Sequence, residues 1–218
     1  MYRGKVIIYT AIFGAKDNPA LPQKHCKNTD YYLFTDSDFR SKFWNVVKRP
    51  LVGCSRRTAR YYKTVPHILF PNHALSIWVD GKVWLKGDTT EWAKTYVGGF
   101  DCALKIHPSR GNVYEEADYC ARHGYDDEAV IKSQVARYKA DGFPKSYGLH
   151  WTDVLIRMNN ERVQRFNQLW YEEIMNYSLR DQISFGYCAW KTELNVNVMS
   201  IPFVNMYASQ LEHAKDKK

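Results

Sequence analysis

The sequence contains no run of about 20 consecutive apolar residues, the length a membrane-spanning helix needs. Its five cysteines (Cys26, Cys54, Cys102, Cys120, Cys188) are odd in number, far apart and without a C-x-x-C pair. That spacing excludes a thiolate zinc ribbon and a disulfide scaffold, and predicts reduced thiols in a cytoplasmic chain. The 7 histidines are scattered, and no H-E-x-x-H, G-x-S-x-G, G-x-G-x-x-G or G-x-x-x-x-G-K-S/T motif occurs. These absences remove the zincin, serine-hydrolase, dinucleotide and P-loop readings. The net charge of +8 is spread along the chain, with no block of five like charges before the tail. This argues against a nucleic-acid-binding arm and leaves room for a local phosphate site. The first residues run straight into an apolar strand, so neither signal peptide nor membrane insertion is expected. Residues 1–211 are expected to form one domain, and 212–218 a frayed tail or the start of a linker.

What is present is an ordinary soluble balance, 45% hydrophobic and 25% charged, enriched in rings: 16 Tyr, 10 Phe and 7 Trp among 218 residues. Short β-branched runs alternate with helical patterns. Strands are expected over Lys5 to Phe13, Tyr31 to Asp36, Phe43 to Val47, a run ending at Asp80, Phe100 to Ile106, Asp153 to Met158, and an edge strand over Asn197 to Ile201. A loop through Asp17, Asn18 and Pro19 follows the first of these. Helices are expected from Arg56, over Thr89 to Tyr96 behind an Asp88 cap, over Val113 to Arg122, Asp127 to Lys139 and Glu161 to Tyr177, with a last segment from Ser178. The alternation predicts an α/β fold: a mostly parallel central sheet flanked by helices on both faces.

In such sheets ligands bind beyond the carboxyl ends of the strands. Polar residues close four apolar runs there: Thr10, Asp36, Asp80 and His107. In Ser76-Ile77-Trp78-Val79-Asp80-Gly81-Lys82 a carboxylate ends a buried strand, where it needs a partner. A divalent cation bridging to a diphosphate is one such partner and a hydrogen-bonded turn is the other. Arg56, Arg60 and Lys63 share one helical face, suited to phosphate oxygens or to solvent. His107, Arg110, Glu115 and Glu116 cross a strand–loop–helix junction. Asp181 is a helix cap, a general base or a contact to a sugar hydroxyl. His150 and Asp153 are weaker candidates of the same kind.

Several stretches together resemble a GT-A-type glycosyltransferase family long catalogued as a domain of unknown function, with plant members linked to turgor and seed mucilage. They are SIWVDGKVWL (76–85), HPSRGNVYEEAD (107–118), QVARYKADGFP (134–144), VLIR (154–157) and LWYEEIMNYSLRDQISF (169–185). The opening YTAIFG also resembles the nucleotide-binding first strand of such enzymes. In compactness the chain is most similar to the transferase domains of large algal DNA viruses. The resemblance implies a hexose or deoxyhexose moved from a UDP-sugar to a glycan, on a viral capsid glycoprotein if the chain is viral, with Mn2+ or Mg2+ assisting departure of UDP. It implies that Thr10, Ala11, Phe13 and Asp36 hold the nucleoside, and that Arg60 and Lys63 lie near the diphosphate or donor sugar. Asp80 would hold the metal, Lys82 would stand in place of a second acid, His107, Arg110 and Glu116 would contact sugar or phosphate, and Asp181 would be catalytic. Ceramidase-like amide hydrolysis and a non-catalytic sugar- or nucleotide-binding module are the alternatives.

Overall fold

A computed structural model describes residues 4–15, 18–200, 204–205 and 208–210 of the chain. In chain order its strands are β1 (Lys5–Ile12), β2 (Thr29–Thr35), β3 (Asn45–Lys48), β4 (His73–Val79), β5 (Val83–Leu85), β6 (Cys102–Ile106), β7 (His150–Met158), β8 (Val196–Met199) and β9 (Ala208–Gln210). The helices are α1 (Ser55–Thr64), α2 (Pro66–Leu69), α3 (Thr89–Val97), α4 (Val113–Arg122), α5 (Glu128–Ala140), α6 (Glu161–Asn176) and α7 (Asp181–Lys191).

Seven strands form one sheet in the order β3-β2-β1-β4-β7-β6-β8. Neighbours are parallel except across β7, which runs antiparallel to both β4 and β6. The expected mostly parallel α/β sheet is therefore present, with one reversed strand at its centre. A small ribbon pairs β5 with β9, and the expected tail lies outside the described residues, as do Asp17 in the loop after β1 and Ile201 of the edge strand.

Period-two alternation divides the core. Ile7, Tyr9, Ala11 and Phe13 face one side of the sheet, where they share a core with Tyr62 of α1 and with residues of α4, α6 and α7. Val6, Ile8 and Ile12 face the other, with Trp92, Ala93 and Val97 of α3. Helices thus cover both faces. Four of them start where a short polar side chain satisfies the first free N–H groups: Asp88, Asn112, Asp127 and Asn160 cap α3, α4, α5 and α6.

One feature of this topology builds the site. Because β7 is reversed, its first residues lie at the same sheet edge as the last residues of β4 and β6. The Asp80 N–H accordingly donates to the Asp153 carbonyl at 2.8 Å, and the His107 N–H to the Leu149 carbonyl at 2.9 Å.

Candidate active site

Beyond β4 the chain turns sharply, with the Val83 N–H donating to the Asp80 carbonyl at 2.8 Å. Gly81 is required there by close approach: a Cβ would lie 2.5 Å from Ile12 Cδ1 and 2.7 Å from Cγ1. This turn forms the floor of a cleft with two lobes. The outer lobe, about 180 Å³, is lined by Ala11, Phe13, Ser55, Arg56 and the turn itself. The inner lobe, about 250 Å³, is lined by His107, Arg110, Thr152, Asp153, Asp181 and Gln182. Arg60, Asp80 and Lys82 belong to both lobes, so the two are continuous.

Lys63 organises the cleft from beneath. It stands in the last turn of α1, and its side chain is wholly buried. Its ammonium lies 2.5 Å from Asp181, 3.5 Å from Asp80 and 3.2 Å from the Thr152 hydroxyl. The rings of Trp78 and Trp170 flank it at 5.5 and 5.9 Å. Buried Arg157 holds the same turn of α1 from the far side, donating to the Lys63 carbonyl at 2.7 Å. Without such partners an ammonium could not remain in this interior.

Both oxygens of Asp181 are occupied. Oδ1 meets Arg60 at 3.1 Å, and Oδ2 accepts from Lys63 and from the Thr152 hydroxyl, the latter at 2.8 Å. Burial alone would push this carboxyl up. The Arg60 and Lys63 cations, with the hydrogen bonds from Lys63 and Thr152, outweigh burial and hold it well below the usual carboxylate range. Asp181 also stands in the first turn of α7, where the helix dipole favours an anion. A carboxylate this strongly held has little affinity for a proton, which weighs against the general base among the three readings of Asp181. It suits orientation of a hydroxyl and fixed negative charge.

Further in, Lys105 and Asp153 form a second buried pair at 2.7 Å, with the lysine 4.2 Å from the Trp151 ring centre. At the far wall Glu116, fully buried, receives Arg110 and, at 3.4 Å, Arg180. Glu116 is therefore a pedestal for two arginines and not a direct contact to a ligand, which corrects the role expected of it. His107 Nδ1 accepts the N–H groups of Ser109 and Arg110 at 3.2 and 3.1 Å, and Nε2 faces Arg110 at 3.1 Å. Burial lowers the His107 pKa, so the ring is neutral near neutral pH.

The structure brings together Ala11, Phe13, Arg60, Asp80, Lys82, His107, Arg110 and Asp181 at one cleft, with Lys63 directly below. Besides Glu116, two residues expected to hold the nucleoside are placed otherwise. The even positions of β1 face the α3 side, so Thr10 lies buried there, its hydroxyl without a partner. Asp36 accepts the Gly14 N–H with both oxygens, at 3.1 and 3.2 Å, and so shapes the loop after β1 without lining either lobe. Thr152, Trp151, Lys105, Arg180 and Gln182 were not among the expected site residues. The apolar pattern of β7 gave no direction; of the two candidates expected at its start, Asp153 lines the cleft and His150 does not.

Asp80 is the open carboxylate of the cleft, with its side chain 30% exposed against 4% for Asp181 and 2% for Asp153. Its Oδ1 accepts from the Trp78 indole at 2.8 Å. Among the described residues no group of three or more His, Cys, Asp or Glu side chains is placed to hold a metal. One exposed carboxylate is the donor set that magnesium or manganese uses when phosphate oxygens and water complete the shell. The residues fit a cation shared with a diphosphate and do not fit a cage made by the protein alone.

The family model described as "TOD1/MUCI70, glycosyltransferase-like domain" matches residues 36–215. The chain is 27% identical over 211 residues to the "Probable hexosyltransferase MUCI70" of Arabidopsis thaliana, covering 83% of this chain and 36% of that protein. It is 25% identical over 219 residues to the "Alkaline ceramidase TOD1" of the same plant, covering 84% of this chain and 47% of that one. The chain thus spans less than half the length of these two relatives.

Proposed function

Because the chain belongs to the TOD1/MUCI70 glycosyltransferase-like family, we propose that it transfers a hexosyl or deoxyhexosyl group from a UDP-sugar to a glycan hydroxyl. The observation that carries this reading is the two-lobed cleft with Asp80, Arg60 and Lys82 at its waist. The outer lobe suits a nucleoside: it is bordered by the end of β1 and by Phe13, whose ring is stacked on Tyr62 at 5.4 Å. The waist suits the diphosphate, since Arg56, Arg60 and Lys82 offer positive charge to it. The inner lobe, rich in fixed donors and acceptors, suits the sugar hydroxyls and the acceptor.

Asp80 would hold a manganese or magnesium ion jointly with the diphosphate, and such an ion neutralises charge on a departing phosphate. The protein's own contribution is orientation. Asp181 and Asp153, kept in place by Lys63 and Lys105, accept hydroxyls of the bound sugar, while Arg60 and Lys82 follow the charge that develops on the leaving group.

Amide hydrolysis, suggested by the name of the second relative, needs a metal-activated water. It is the weaker reading, because the described residues carry no multi-ligand cluster. A panel of nucleotide sugars in thermal-shift and UDP-release assays, with and without manganese, tests the proposal. UDP-sugars are expected to stabilise the protein only with metal, and to release UDP. Asp80→Ala should abolish the metal-dependent shift and lower transfer by about 10²-fold or more. Undiminished transfer by that variant would remove Asp80 from the metal site.

A further inference from the structure

Transfer of a sugar to a hydroxyl requires a destination for the acceptor's proton. This inference rests on the transferase reading above. Among the described residues of the inner lobe and waist, the groups able to take a proton are Asp80, Asp153, Asp181 and His107, and each already faces at least one donor or cation. Asp181 is held by Lys63, Arg60 and Thr152. Asp153 is held by Lys105 at 2.7 Å. Asp80 has the Trp78 indole at 2.8 Å and Lys63 at 3.5 Å. The acceptor nitrogen of His107 receives two backbone N–H groups, and its other nitrogen faces a guanidinium.

Protonating Asp181 or Asp153 would discharge the partner of a buried lysine and leave an ammonium desolvated, which is strongly unfavourable. An inverting displacement needs such a protein base, on the face of the sugar opposite the diphosphate. The carboxylates lining the cleft are all ion-paired to a lysine, Asp181 and Asp80 to Lys63 and Asp153 to Lys105. One strong proton acceptor remains, and the substrate brings it: the phosphate oxygen released as the donor bond breaks.

We propose that the enzyme transfers its sugar with retention of anomeric configuration, the departing diphosphate oxygen taking the acceptor's proton on the same face of the ring. The bond between the anomeric carbon and the diphosphate oxygen breaks, and its electron pair leaves on the diphosphate. The acceptor oxygen forms the new bond to the anomeric carbon from that face. Its proton passes to the oxygen just released, so charge and atoms balance with no further reactant. Asp181 and Asp153 are positioning residues in this scheme, holding the sugar while Lys63 and Lys105 hold them.

The test follows the first turnovers of UDP-α-D-glucose and UDP-α-D-galactose by proton NMR, with water standing in for the acceptor. The α-anomer of the free sugar is expected before mutarotation, from the wild type and, more slowly, from Asp181→Asn. Appearance of the β-anomer first would overturn the proposal while leaving the transferase reading intact. A covalent glycosyl–protein adduct on Asp181 or Asp153, captured by mass spectrometry, would overturn it too, because retention would then come from two displacements. If neither donor nor any other nucleotide sugar of the panel releases its nucleotide, the transferase reading fails and this inference falls with it.

Discussion

The Lys63 ammonium, out of contact with solvent, serves two carboxylates at once, Asp181 at 2.5 Å and Asp80 at 3.5 Å. Its position is more informative than its charge. A basic helix face reads equally as a solvated surface or a phosphate contact, and at this residue neither reading holds. Arg56 and Arg60 line the cleft, while Lys63, one turn on, turns inward between two tryptophans. Lys63→Met keeps the length and the apolar stem and removes the charge. It is expected to lower stability by about 3–5 kcal/mol, because Asp181 remains buried with one fewer cation. Adding Asp181→Asn to that variant should recover much of the loss, since the uncompensated charge goes too. Urea denaturation of the two single variants and the double variant measures the coupling. A double variant no more stable than Lys63→Met would assign the lysine's role to packing between the rings.

At the scale of elements, strands and amphipathic helices were legible and their relative directions were not. Val113–Arg122 is found as expected, and the cap at Asp88 could be read because a short acid precedes the helix; Asp127, expected inside its helix, is the cap of α5. For α7 only the start was legible: Ile183 to Ala189 are all buried, so the helix lacks the polar face that reveals a period of 3.6. The three-residue strand β9 carries too little pattern to be read. The reversal of β7 mattered most, since it carries Thr152 and Asp153 into the cleft. The first residue of β7, His150, is 6% exposed and lies against the Tyr147 and Phe185 rings. Burial lowers its pKa from 6.5 to about 4. The unfolded chain therefore takes up a proton before the folded one does. Stability is full above pH 6.5 and falls as pH drops from there toward about 4, by a loss of order 3 kcal/mol. Urea midpoints across that window should show the slope in the wild type and a flatter one in His150→Leu. The β4–β5 turn allows a second check. Gly81→Ala puts a methyl 2.5 Å from Ile12 Cδ1, and Ile12, which borders the outer lobe, must shift. Overpacking of this kind costs about 1–3 kcal/mol, and UDP affinity should fall with it. Unchanged affinity would mean that Ile12 does not border the nucleoside.

Across the whole molecule, the cleft joins a nucleoside side and a sugar side above one shared apolar core. The nucleoside side rests on β1, β2 and α1. The sugar side depends on the layer of α5, α6 and α7, which is tied together by a buried polar network rather than by apolar contact alone. Glu173 of α6 accepts from Arg137 at 2.5 and 2.6 Å, from the Tyr138 hydroxyl at 2.7 Å and from Gln134 at 3.1 Å, all on α5. Arg137 in turn donates to the Tyr187 hydroxyl of α7 at 3.3 Å. Glu173→Ala deprives three donor side chains of their acceptor, one of them a guanidinium. Arg137 is 33% exposed and can recover water, so the expected loss is about 2–3 kcal/mol rather than the full cost of an isolated buried charge. Because the network lies on the helical layer and not on α1 or β1, UDP affinity should stay within about twofold of wild type. Transfer should fall further than that, since α7 carries Asp181 at its first residue. Calorimetric titration with UDP and manganese, set beside the urea midpoint and the turnover rate, separates the three quantities. Loss of UDP affinity in proportion to stability would mean that the nucleoside side does not stand independently of the helical layer.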